Sequence, residues 1–138
     1  MNLIDLGSGR DFEPHFLNCY MQIIMGAMEQ DKEKVIHYSE LIGFLTGEES
    51  KEMYDAHYEG TRIIGEPFRM KDGELFDYGG AGLAQKIGGL LPTLSKHRLT
   101  PPPQEVYSLH KKIVGCYLMC IKLRAQVPAR DILLETYD

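Results

Sequence analysis

The sequence predicts a mainly α-helical fold with one short N-terminal β-strand. Three observations carry this. Apolar residues recur at helical spacing through long segments, above all 14–29 and 104–125. Residues that start and stop helices sit at the ends of those segments. Only Met1–Leu6 reads as a strand, running into the Gly7-Ser8-Gly9 turn.

The elements follow in order. One short strand makes no sheet alone, so Met1–Leu6 predicts partners elsewhere. Pro14 suits the first turn of a helix over 14–29, where its missing N–H costs nothing, with Phe16, Leu17, Tyr20, Ile24, Ala27 and Met28 as the apolar side. Asp31 caps a second helix over 32–42, with Val35, Ile36, Tyr38, Leu41 and Ile42 facing inward and Gly43 ending it. Thr46-Gly47-Glu48-Glu49 has capping-box spacing and predicts a third helix over 48–64, closing near Gly65 and Pro67. Residues 66–82 read as a loop, with a turn at Lys71-Asp72-Gly73-Glu74. A short helix over 83–91 is expected to stop at Pro92, with a further turn over 94–99. Pro101-Pro102-Pro103 is an extended connector. The longest helix, 104–125, carries Val106, Leu109, Ile113, Tyr117, Leu118 and Ile121. Pro128 starts a last one with Ile132, Leu133, Leu134 and Tyr137.

The chain has 138 residues, 43% hydrophobic and 25% charged, which is the size and balance of one globular unit rather than a disordered chain. Its net charge of −5 argues against a general nucleic-acid binder. No stretch approaches the roughly 20 apolar residues of a membrane span. Three cysteines, an odd number, argue against a closed disulfide framework and for a reducing compartment.

The chemistry-bearing residues divide into plain and pointed cases. Cys116 and Cys120 share a helix face, but two thiolates are a poor metal site. They and Cys19 read as buried small hydrophobes. The five histidines are scattered without a metal-ligand spacing, and Asp55 and His57 point to different sides of their helix. Met21, Met25 and Met28 share one helical face and read as core. Lys96-His97-Arg98 and His110-Lys111-Lys112 flank the proline run and read as solvated faces, with contact to a phosphate or anionic lipid as the second reading. Leu3-Ile4-Asp5-Leu6-Gly7 is more pointed. An apolar strand delivers a carboxylate at its end and a glycine turns the backbone away, the arrangement by which kinases hold Mg²⁺ against ATP phosphates. Taken alone, these residues read as an ordinary strand-to-turn aspartate, because Asp-apolar-Gly is common by chance.

A longer series of motifs supplies context. Leu3-Ile4-Asp5-Leu6-Gly7-Ser8-Gly9-Arg10 is followed by Phe44-Leu45-Thr46-Gly47, Asp55-Ala56-His57 and Phe76-Asp77-Tyr78-Gly79. His97-Arg98-Leu99-Thr100-Pro101-Pro102-Pro103 and Glu105-Val106-Tyr107-Ser108-Leu109-His110-Lys111-Lys112 complete it. In this collinear series residues 3–137 resemble the C-terminal part of the UbiB/aarF-domain atypical kinases (the ADCK family), most of all the mitochondrial coenzyme Q members. The resemblance implies a helical C-lobe segment of a protein-kinase-like fold, so that residues 1–138 form part of a kinase-like domain. It implies a parent that binds ATP and Mg²⁺ and supports coenzyme Q (ubiquinone) biosynthesis with other proteins of that process. It also implies peripheral association with the matrix face of the inner mitochondrial membrane. One position carries over: Asp5 as the Mg²⁺-binding aspartate, with Gly7 as its hinge and Leu6 replacing the usual Phe. The family's Lys-x-Gly-Gln motif, Ala-rich nucleotide loop, ATP-anchoring lysine, paired glutamate and catalytic-loop residues all belong upstream of that aspartate and do not occur in these 138 residues. The expectation is therefore a segment that completes a lobe and supplies Asp5, without catalysis by itself. The alternative is a non-catalytic helical module that binds a coenzyme Q assembly partner or a full-length paralogue.

Overall fold

A computed structural model describes residues 9–137, so the expected strand Met1–Leu6 lies outside the described residues. The described residues form α1 (Pro14–Glu29), α2 (Lys32–Leu41), α3 (Lys51–Ile64), a 3-10 turn (Glu66–Arg69), β1 (Phe76–Asp77), α4 (Leu83–His97), α5 (Gln104–Lys122), β2 (Gln126–Val127) and α6 (Ala129–Tyr137). The architecture is mainly α, as the periodicity predicts.

α1 and α2 form a tight helical hairpin. Pro14 opens α1. Gln30 closes it in the left-handed conformation (φ 60°), and the amide of Asp31 bonds the carbonyl of Gly26 at 2.8 Å. The Asp31 carboxylate then accepts the Lys34 amide at 3.0 Å and caps α2. The helices approach closely at Gly26, where a Cβ would lie 3.0 Å from Val35 Cγ2. Val35 and Ala27 are fully buried there.

α3 begins later than its capping-box spacing suggests. Glu49 does fold back, accepting the Thr46 amide at 2.7 Å, the Thr46 hydroxyl at 2.9 Å and the Gly47 amide at 2.9 Å. That closes a loop rather than a helical turn. The N-cap is Ser50, whose hydroxyl accepts the Met53 amide at 3.2 Å.

α4 runs through Pro92 instead of stopping there. Proline removes one helical bond and crowds the carbonyl four residues back. That carbonyl belongs to Gly88, and Gly88 and Gly89 together give the backbone room to adapt. Packing of α4 along α3 outweighs the remaining penalty.

The region 66–82 holds more order than a loop. Beyond the 3-10 turn, β1 pairs antiparallel with β2, Phe76 opposite Val127 and Asp77 opposite Gln126. The pairing clamps the start of α4 to the end of α5.

Two apolar clusters make the core. Phe16, Tyr20, Ile23, Ile24, Ala27, Val35, Phe44 and Val106 form one. Ile63, Phe76, Tyr78, Leu83 and Tyr117 form the other. Ile113 of α5 packs against both. The Tyr117 hydroxyl donates to the Ile64 carbonyl at 2.6 Å and so ties α5 to the end of α3. Several expected core positions face outward, among them Leu17, Leu41 and Leu118. Met21, Met25 and Met28 are half-buried beside the main stripe of α1.

Two glycines inside helices predict opposite outcomes. Gly26→Ala gains helix propensity but drives a methyl into Val35, the Asp31 carbonyl and the Lys34 stem; we expect a net loss of about 1 kcal/mol or more in urea unfolding. Gly60→Ala in α3 meets only Leu90 Cδ1 at 3.9 Å and is expected to stabilise by about 0.5–1 kcal/mol. A stabilising Gly26→Ala would contradict the packing described for the hairpin.

Candidate functional site

The metal-binding position expected from sequence, Asp5, lies outside the described residues. Among the described residues, no group of three or more His, Cys, Asp or Glu side chains is placed to hold a metal. Cys19 is buried as expected, Cys120 is half-buried, and Cys116 is exposed instead of buried. Asp55 points to the surface and pairs with Lys32, whose ammonium holds its carboxyl below the usual value. His57, two residues on, points the other way into the interior. In the Phe76-Asp77-Tyr78-Gly79 motif, Asp77 serves the turn: its carboxylate accepts the amides of Gly79 at 3.0 Å and Gly80 at 3.2 Å.

The remaining motifs converge on one place. Phe44, His57, Arg98 and His110 come from the α2–α3 loop, α3, the end of α4 and α5. The Phe44 ring meets the His57 ring edge-on at 4.6 Å and the His110 ring at 5.6 Å. Arg98 lies over the same ring with its guanidinium carbon 5.0 Å from the centroid, and donates to the Phe44 carbonyl at 3.4 Å. The His110 ring also meets Tyr20 of α1 at 5.7 Å. His57 Nε2 and the Ser39 hydroxyl share a hydrogen bond of 2.9 Å.

Local sequence explains the convergence. Gly43, with φ +74°, lets the chain leave α2 and turn inward, and the amides of Phe44 and Leu45 both bond the Ser39 carbonyl. Phe44 and Leu45 are buried as a result. Arg98 sits at the C-cap of α4, where the chain leaves the helix. The basic groups expected to face solvent are thus divided: Arg98 and His110 turn inward, Lys112 lies over the Phe12 ring at 5.0 Å, and Lys111 is exposed.

Electrostatics follow from burial. Desolvation, then the nearby Arg98 charge, lowers His57 from 6.5 to about 4, and the same two causes in the same order lower His110 to about 4. Both rings are neutral at pH 7. Burial also lowers the Arg98 guanidinium, which the Glu49 carboxylate opposes. Arginine stays charged regardless. Burial pushes Tyr78 up to about 12 and raises Tyr20 and Tyr117 further. For Glu49, burial acts upward, but the Thr46 and Gly47 donors prevail and lower it.

The cluster is therefore a desolvated cation on an aromatic face, flanked by two neutral imidazoles. The hydroxyl–imidazole pair beside it, Ser39 with His57, is buried. Its contacts link the α2–α3 loop, α3, the end of α4 and α5.

Comparison with known proteins identifies the class. No family profile matches the chain. Among its curated relatives are several named as atypical kinases. It is 39% identical over 137 residues to the mitochondrial atypical kinase COQ8B of Rattus norvegicus, with 99% of this chain and 26% of the relative covered. It is 40% identical over 136 residues to the mitochondrial atypical kinase coq-8 of Caenorhabditis elegans, covering 99% of this chain and 18% of that protein. The mitochondrial atypical kinase COQ8 of Saccharomyces cerevisiae is 34% identical over 137 residues, with 99% and 27% covered. The chain belongs to this COQ8/ADCK group of the UbiB family of atypical kinases. It spans about a quarter or less of the length of these relatives. Their names place them in the mitochondrion, which supports the same compartment for this chain.

Stability is expected to fall as pH drops from 7 to 5. Both histidines bind protons less readily folded than unfolded. Their contribution is complete above about pH 6.5 and is lost as pH falls toward about 4, because the unfolded chain takes up protons first. The pair predicts a loss of about 3 kcal/mol between pH 7 and 5 in urea unfolding, a window above most carboxylate titration. His57→Gln should remove about half of that dependence. A flat profile from pH 7 to 5 would show that the imidazoles are not buried neutral.

Proposed function

We propose that the chain is the helical C-lobe segment of an atypical kinase or ATPase that supports coenzyme Q biosynthesis. In this reading Asp5 supplies one carboxylate to Mg²⁺, which in turn would hold ATP phosphates. The observation that carries the reading is the match along 99% of the chain to COQ8 kinases, together with a mainly helical fold. A carboxylate is a hard oxygen ligand suited to Mg²⁺, and a following glycine suits the turn. The described residues offer no complete metal site of their own, so no chemical step is assigned to them. Their role is to build the lobe around the Phe44 cluster. The setting is the matrix face of the inner mitochondrial membrane, as a peripheral association. No helix among the described residues is long and apolar enough to cross a membrane.

Phosphoryl transfer requires several groups to position metal and triphosphate together. One aspartate does not meet that requirement. The 138-residue chain alone is accordingly expected to release no phosphate from ATP above a buffer blank in the presence of Mg²⁺. Metal-dependent turnover that disappears in Asp5→Ala would overturn this expectation.

A second reading, a non-catalytic interaction module for a coenzyme Q assembly partner or a full-length paralogue, is favoured by the outer face of α5. Tyr107, Val114 and Leu118 recur there at helical spacing and are exposed, as are Met119 and Leu123. Exposed apolar surface of this kind promotes association. Sedimentation is expected to show concentration-dependent association of the chain, reduced by Leu118→Glu with thermal unfolding little changed. A chain that stays monomeric at high concentration would remove the support for this reading.

A further inference from the structure

The Phe44 cluster is not solid. Phe44, His57, Arg98 and His110 line a cavity of about 200 Å³, the last three supplying polar groups. The rest of the lining is mainly apolar, with Ile64 of α3, Ile87, Leu90 and Leu94 of α4, and Val114 of α5. Leu91, 54% exposed, and Val114, 39% exposed, mark its opening to solvent.

Two features define what fits. Arg98 is half-buried, and among the described residues no carboxylate lies within 4 Å of it; it has one carbonyl, one aromatic face and only the more distant charge of Glu49. A partly desolvated cation gains from an anion that restores its lost hydration. A neutral imidazole beside it offers a further N–H donor. His110 is the one available, since His57 is engaged with Ser39. The apolar lining rejects a free phosphate or other fully hydrated ion and favours a hydrocarbon body. The volume is below the ~300–1,000 Å³ of drug-sized sites, which limits that body to a short chain.

We infer that this cavity binds a medium-chain fatty carboxylate, its head group on Arg98 and its alkyl chain between α3, α4 and α5. The inference stands apart from the nucleotide reading and does not involve Asp5.

Octanoate is the probe. Titrated into the full chain and followed by calorimetry and by amide chemical shifts, it should bind saturably with one molecule per chain. The shifts should centre on residues 44, 57, 90, 98 and 110. Arg98→Gln should weaken binding about tenfold or more, the effect of losing a charge-assisted hydrogen bond. Octanol, with the same chain and no charge, should bind at least about tenfold more weakly. Gly60→Leu projects a side chain toward Leu90 and the cavity from a position with room, and should abolish binding while helical content is retained. Unsaturable octanoate binding, equal affinity for octanol, or undiminished binding to Gly60→Leu would each overturn the proposal. Should Arg98→Gln fail to fold, the octanoate–octanol comparison on the unaltered chain decides the matter.

Discussion

The Phe44 ring is the contact on which the rest of the molecule depends. It is buried, it belongs to a loop, and it is touched by side chains from α3, α4 and α5. Through His110 it reaches Tyr20 of α1. The α1–α2 hairpin is held by local caps and by the Gly26–Val35 approach. The second cluster is held by Tyr117 and the two-residue strand pair. Phe44 and Arg98 link α4 to the first cluster, and Ile113 joins the two clusters through α5.

The arrangement has a cost and a gain. Two imidazoles and a guanidinium are partly removed from water beside one another. Desolvation, and then repulsion from Arg98, keeps the two histidines neutral, so the arginine carries the positive charge of the cluster. A cation over an aromatic face contributes about 0.5–2 kcal/mol depending on desolvation. The same geometry leaves an open cavity lined by polar and apolar groups, where complete packing would have left none.

What the sequence discloses follows from how local the cause is. Pro14 and Asp31 act within one turn, so α1 and α2 begin where their residues predict. The start of α3 is displaced because Thr46 and Glu49 satisfy each other in a loop, leaving Ser50 to cap the helix. Pro92 is misleading because the packing that keeps α4 intact comes from α3, distant in sequence. The strands are two residues each and pair across the whole of α4 and α5, so neither leaves a periodic trace. At the site, the motifs containing Phe44, His57, Arg98 and His110 stand out in the sequence. Their convergence does not, because a basic residue beside a proline run carries no sign of which way it faces. The buried partner of Arg98 is 54 positions away. A signal was present in Phe44 itself, a large apolar residue directly after a helix-ending glycine, which marks a chain turning inward. Asp5 is the reverse case, legible from its motif and outside the described residues.

The central claim is that Phe44 and Arg98 are energetically coupled and so fix α4 to the α2–α3 loop. A double-mutant cycle on Phe44→Leu and Arg98→Gln, read by urea unfolding at pH 7, tests it directly. The account predicts a coupling of about 1 kcal/mol, within the range of a partly desolvated cation on an aromatic face. Additive single effects, agreeing within about 0.3 kcal/mol, would contradict it.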